Sequence, residues 1–122
     1  IVPLREGVIE VLTKLREQGH KIIFITARNH NEFKNPYKIS YDFLEVNNIP
    51  YDKLLVNISD KAQQCVAEAI DLFIDDSIKN CTKVSEKGVE CWLFDTIYNR
   101  DCHDFKRVSN WLEVYDSFNS ML

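Results

Sequence analysis

At 122 residues, with 45% hydrophobic and 28% charged side chains, the chain has the make-up of one ordinary globular domain, and disordered, low-complexity and collagen-like classes are excluded. Its longest clean apolar run, Ile22 to Ile25, is far short of the roughly 20 residues that cross a bilayer, so no membrane partner is expected. A net charge of −4 argues against a nucleic-acid surface, which needs clustered Lys and Arg, but leaves room for a small phosphorylated ligand.

The opening Ile1–Val2–Pro3–Leu4–Arg5 has neither the basic start nor the apolar core of a signal peptide, and the absence of Met at position 1 predicts truncation or processing. Val8, Ile9, Val11, Leu12 and Leu15 then predict a helix from about Gly7 to Gln18, stopped by Gly19. Lys21 to Ala27 (KIIFITA) is a nearly continuous apolar run, as expected of a buried parallel strand. After a polar stretch from Arg28 to Pro36, Tyr37 to Val46 reads as a helix ended by Asn47–Asn48 and Pro50. Leu54 to Asn57 reads as a short strand, and Ser59 or Asp60 can cap a helix through Ala62 to Glu68. Leu72 to Ile74 is a buried strand running into Asp75–Asp76–Ser77, Ile78 to Lys87 is a helix closed by Gly88, and Val89 to Phe94 is a further strand. From Phe105 to Phe118, the helical spacing of Trp111, Leu112 and Tyr115 predicts a tail that packs back on the domain. Strands alternating with helices predict an open, mostly parallel α/β sheet with right-handed crossovers, in a single domain spanning 1–122.

Cys65, Cys81, Cys91 and Cys102 contain no C-x-x-C pair, and none of the three histidines has ligand spacing, so no zinc site is expected. Cys65 and Cys91 sit in apolar surroundings and read as small core residues, which suits a reducing cytoplasm.

Open α/β sheets bind ligands at the carboxyl ends of their strands. The residues delivered there are Thr26–Ala27–Arg28 after the first strand, Asp60–Lys61 after the second and Asp75–Asp76 after the third. Singly, each has an ordinary role: an Asp pair can cap a helix, threonine favours strands and most lysines are solvated. Together they have a chemical logic. Adjacent carboxylates are costly unless a cation neutralises them, and oxygen ligands without His or Cys suit Mg²⁺. A threonine hydroxyl and nearby backbone N–H groups can hold phosphate oxygens, while a lysine offsets charge on the transferring phosphoryl group. Arg28 lies in the following loop, where a surface role is as good an account as a phosphate contact, and His30 in the same loop is not counted as a site residue.

F-I-T-A-R (Phe24 to Arg28), the lysine of S-D-K (Lys61) and D-L-F-I-D-D-S (Asp71 to Ser77) resemble, in order and spacing, the second, third and fourth motifs of the haloacid dehalogenase superfamily. Asp60–Lys61 shortly before the acidic motif resembles its 5′-deoxyribonucleotidase branch. Tyr98–Asn99–Arg100 and Arg107–Val108–Ser109–Asn110–Trp111 resemble bacterial nucleotidases of that branch. The resemblance implies a three-layer Rossmann-like fold with helices on both faces of the sheet, and a Mg²⁺-dependent phosphatase acting on small phosphate monoesters, with nucleoside monophosphates foremost. It implies that Thr26 and Ala27 bind phosphoryl oxygens, that Lys61 stabilises a phosphoaspartyl intermediate and that Asp75 and Asp76 hold Mg²⁺. Asn80 would steady the acidic loop.

The family's first strand, ending in the D-x-D that supplies nucleophile and acid–base, has no counterpart here, nor does the cap that selects substrate. Ile1–Val2–Pro3 resembles the chain leaving that cap. The expectation is a C-terminal portion of the fold, inactive until completed by an upstream segment or by a partner subunit. A non-catalytic binding or regulatory module is the competing reading. A receiver-like or other nucleotide-binding domain is disfavoured, because three glycines leave little room for a phosphate loop.

Overall fold

A computed structural model describes residues 6–27 and 35–121; Arg28 and His30 lie outside the described residues. Helix α1 (Val8–Glu17) buries Val8, Val11, Leu12 and Leu15, the one-sided stripe that the sequence spacing requires. Gly19 follows it at φ 93°, a left-handed conformation that costs a residue with a Cβ about 1–2 kcal/mol and glycine almost nothing.

Strand β1 (Ile23–Ile25) is shorter than the KIIFITA run that predicted it. Its start is set by Asp52: the Ile22 N–H donates to Asp52 Oδ2 at 2.7 Å, and the Ile22 carbonyl accepts from the N–H groups of Asp52 and Lys53. Helix α2 (Pro36–Val46) begins one residue before the expected start. Asn35 Oδ1 accepts the Lys38 N–H at 3.0 Å, and Pro36 occupies the first turn, where its missing N–H costs nothing. Strand β2 (Lys53–Leu55) runs parallel to β1, with Ile23 opposite Lys53 and Ile25 opposite Leu55. Asn57, predicted as strand, instead turns the chain at φ 59°.

The next two connections are each capped at the start of their helix. Asp60 opens α3 (Lys61–Ala67), its carboxylate accepting the Gln63 N–H at 3.0 Å. Strand β3 (Leu72–Asp75) then leads into α4 (Ile78–Ser85), where the Ser77 hydroxyl accepts the Asn80 N–H at 3.1 Å. Strand β4 (Glu90–Phe94) lies parallel to β3.

The tail packs back on the domain as expected, but it begins with a strand that was not foreseen. Lys106–Val108 forms strand β5, parallel to β4 with Trp92 opposite Lys106 and Phe94 opposite Val108, and only Trp111–Met121 forms a helix, α5. The change of state falls at Asn110, whose Oδ1 accepts the Glu113 N–H while Glu113 Oε2 accepts the Ser109 N–H. Leu112, counted above toward the packed face, is 64% exposed, whereas Val114 is 1% exposed.

All strand pairings among the described residues are parallel, arranged as two ladders, β1–β2 and β3–β4–β5. Side chains alternate across the larger ladder. Phe73, Cys91 and Leu93 pack with Ala62, Cys65, Cys81 and Val84 of α3 and α4. Leu72, Ile74, Trp92 and Phe94 pack instead with Val108 and Val114. Trp111 and Phe118 of α5 also reach the cluster built on α1, which includes Phe24 of β1, while Ile25 turns to the α3–α4 side. Helices thus cover both faces, the three-layer Rossmann-like arrangement that the resemblance implied. No described helix is long and apolar enough to cross a membrane.

All four cysteines are free thiols. Burial pushes the thiol of Cys81 up to about 12 and that of Cys91 up to about 11, and raises Cys65 as well. Thiolate is the reactive form, so a thiol reagent at neutral pH is expected to label half-buried Cys102 first. Cys65, Cys81 and Cys91 should follow only after denaturation, as peptide mapping of labelled protein would show. Labelling of all four at one rate would contradict the closed α3–α4 core.

Candidate active site

The carboxyl ends of β1 and β3 carry the polar residues singled out from sequence. Thr26 leaves β1 with its backbone fixed on both sides: its N–H donates to the Leu55 carbonyl at 2.9 Å, and its carbonyl accepts the Ile58 N–H at 3.0 Å. Ala27 is exposed beyond it. Ile25, just before Thr26, packs against the cluster that holds Ala62 and Phe73, so this strand end lies beside the start of α3 and the body of β3.

Asp60 fixes the first turn of α3, and Lys61 is the first residue of that helix. From there Lys61 Nζ reaches Asp75 Oδ2, 3.3 Å away, with side chains only 17% and 9% exposed. The structure therefore brings together two of the predicted residues from separate strand ends. Asp76 follows Asp75 in the chain, and Thr26 stands at the carboxyl end of β1 in the other ladder.

Asp75 is surrounded by donors. Oδ1 accepts the backbone N–H groups of Asp76 at 2.7 Å and Ser77 at 3.3 Å; Oδ2 accepts from Lys61 and from Asn80 Nδ2 at 2.9 Å. Burial would raise its pKa, but the Lys61 charge and these hydrogen bonds outweigh it and hold the carboxyl below the usual carboxylate range. Four donors match the four lone-pair positions of a carboxylate. Asp75 is thus the anchor of the acidic pair, tied to α3 through Lys61 and to α4 through Asn80. The sequence reading gave Asn80 this steadying role, and its amide is found there.

Asn99, Arg107 and Asp95 form a network to which sequence reasoning assigned no role. Asn99 is 2% exposed, and its Nδ2 donates to the carbonyls of Asp76 at 2.9 Å and Phe94 at 2.8 Å. Its Oδ1 accepts from the Thr96 N–H and from Arg107, which also pairs with Asp95 at 2.7 Å. Tyr98–Asn99–Arg100 carries a family resemblance and no other sequence signal, since a contact reaching back 23 positions leaves no local pattern.

Among the described residues, no three His, Cys, Asp or Glu side chains gather as a metal site. Two adjacent carboxylates with no His or Cys beside them in the chain suit a hard divalent cation as part of an oxygen ligand set shared with water and a phosphate, and Asp75 would have to give up one of its four donors to join Asp76 in that set. A cation there, Lys61 beside it and Thr26 at the carboxyl end of β1 would make an arrangement suited to holding a phosphoryl group.

A family model described as 5′ nucleotidase, deoxy (pyrimidine), cytosolic type C protein matches residues 2–121. A nucleotidase of Clostridium acetobutylicum is 36% identical over 115 residues, which cover 92% of this chain and 57% of the relative. A candidate nucleotidase of Oceanobacillus iheyensis is 24% identical over 113 residues, covering 89% of this chain and 58% of the relative. The chain spans somewhat more than half the length of these curated relatives.

Proposed function

The chain belongs to the deoxy (pyrimidine), cytosolic type C 5′-nucleotidase family, and from that membership we propose that the protein containing it is a Mg²⁺-dependent phosphohydrolase of small phosphate monoesters, foremost nucleoside monophosphates. The observation that carries this reading is the Lys61–Asp75 contact at 3.3 Å, which sets a cation beside an acidic pair at a strand end. Lys61 would offset charge on the phosphoryl group, and Thr26 with the backbone at Ala27 would hold its oxygens. Asp75 and Asp76 would hold Mg²⁺, which when bound screens the phosphate charge from the incoming nucleophile. Asn80 keeps the Asp75 carboxylate oriented.

The nucleophile in this reading is an aspartate upstream of Ile1, since the chain contains no D-x-D. Among the described residues β1 pairs with β2 alone and β3 with β4 alone. An added parallel strand between β1 and β3 would join the two ladders and end between Thr26 and Asp75. Such a protein would work in the cytoplasm, in keeping with its free thiols.

In the full-length protein, phosphate release from nucleoside 5′-monophosphates should appear with Mg²⁺, disappear with EDTA and return when Mg²⁺ is restored. Absence of turnover on every phosphate monoester tried, with Mg²⁺ present, would end this reading. Nucleotide binding without turnover would favour the non-catalytic module instead.

A further inference from the structure

Asp76 and Ser77 share one peptide group, and that group is gripped from both sides. Its carbonyl accepts from Asn99 Nδ2 at 2.9 Å, and its N–H donates to Asp75 Oδ1 at 3.3 Å. A trans peptide is planar, so fixing its carbonyl also fixes the direction of its N–H. We propose that Asn99, clamped by Arg107, is a positioning residue for the acidic pair, and that it sets the affinity of the Asp75–Asp76 site for a divalent cation. The inference rests on the phosphohydrolase reading and extends it to Asn99 on the β4–β5 connection and Arg107 in β5.

The carboxamide is needed as a carboxamide. Asn99 spends both side-chain donors on the carbonyls of Asp76 and Phe94, and its oxygen accepts from Thr96 and Arg107. Aspartate would have the same shape, but it would turn a second acceptor toward two carbonyls. Arg107 fixes Asn99 in turn: Nη1 reaches the Asn99 side chain and Asp95, while Nη2 donates to the carbonyls of Asn99 and Cys102. A planar guanidinium can serve these acceptors together, and a lysine ammonium cannot reproduce that fork. The network therefore relays the geometry of the β4–β5 connection to the loop that holds both carboxylates.

The test is the Mg²⁺ dissociation constant of the full-length protein, measured by titration calorimetry without substrate. Loss of an outer partner typically weakens metal sites by about 10–100-fold, and Asn99→Ala should fall in that range, with Arg107→Lys shifted in the same direction by less. Val114→Ala, which opens a cavity under α5, should lower the melting temperature without moving the Mg²⁺ constant. This control separates positioning from general loss of stability. If Asn99→Ala fails to fold, Arg107→Lys decides alone. Unchanged Mg²⁺ affinity in the folded variants, beside a wild type that binds Mg²⁺, overturns the positioning role and leaves the phosphohydrolase reading intact. A wild type that binds no Mg²⁺ overturns both.

Discussion

Replacing Asp75 with alanine is expected to destabilise the protein by about 3–5 kcal/mol, read from urea unfolding, because it breaks a buried ion pair from one side only. The Lys61 side chain is 17% exposed and cannot be fully rehydrated where it stands. Asn80 Nδ2 and the N–H groups of Asp76 and Ser77 lose their acceptor in the same step. An unsatisfied buried donor costs about 1–3 kcal/mol, so even partial relaxation leaves a large deficit. Asp75→Asn should cost less, since the amide oxygen still serves two donors while its NH₂ opposes the others. A loss below about 1 kcal/mol for the alanine variant would mean that water replaces the carboxylate, and that Asp75 does not anchor the loop.

This dual role explains which part of the site could be read from sequence. Strand ends are legible because apolar runs end abruptly in polar residues: Phe24–Ile25 gives way to Thr26, and Phe73–Ile74 to Asp75. One N-terminal cap was legible too, because Ser59 and Asp60 stand just before helical spacing and Asp60 is the one that caps; Gly19 and Gly88 mark helix ends at positive φ. Those two signals place Lys61 and Asp75 at the carboxyl ends of strands, the edge where α/β sheets bind ligands. They say nothing of how many donors surround a carboxylate, so Asp75 read simply as one half of a metal pair.

The misses share a physical cause. Lys106–Arg107–Val108 has too many charges to read as a strand, and it becomes one because β4 offers an edge to pair with. Arg107 alternates toward the Asn99 network, while Val108 turns into the core under α5. The sequence reading assigned no strand to this segment, because its pairing with β4 is a tertiary contact that local spacing does not encode. Asn99 was hidden for a related reason, since its partners lie at Asp76, Phe94, Thr96 and Arg107. The parts of the site carried by local pattern were visible, and those carried by long-range hydrogen bonds were not.

Lys61→Met should separate the two things the lysine does. Methionine keeps much of the alkyl stem that packs at the start of α3 but removes the charge, so the loss is electrostatic. Asp75 retains three donors after the exchange, and the stability cost should be about 1–3 kcal/mol, less than for Asp75→Ala. Turnover should suffer far more. Removing one fixed group that stabilises transition-state charge typically costs about 10²–10³ in rate, and this is the drop expected in phosphate release by the full-length protein at saturating Mg²⁺. Lys61→Arg keeps the charge on a larger, planar head that cannot sit 3.3 Å from Asp75 in the same way. It should recover most of the stability and little of the rate. If Lys61→Met instead unfolds at lower urea yet turns over within about tenfold of wild type, the lysine is a structural counter-ion for Asp75 and the phosphoryl charge must be met by another group.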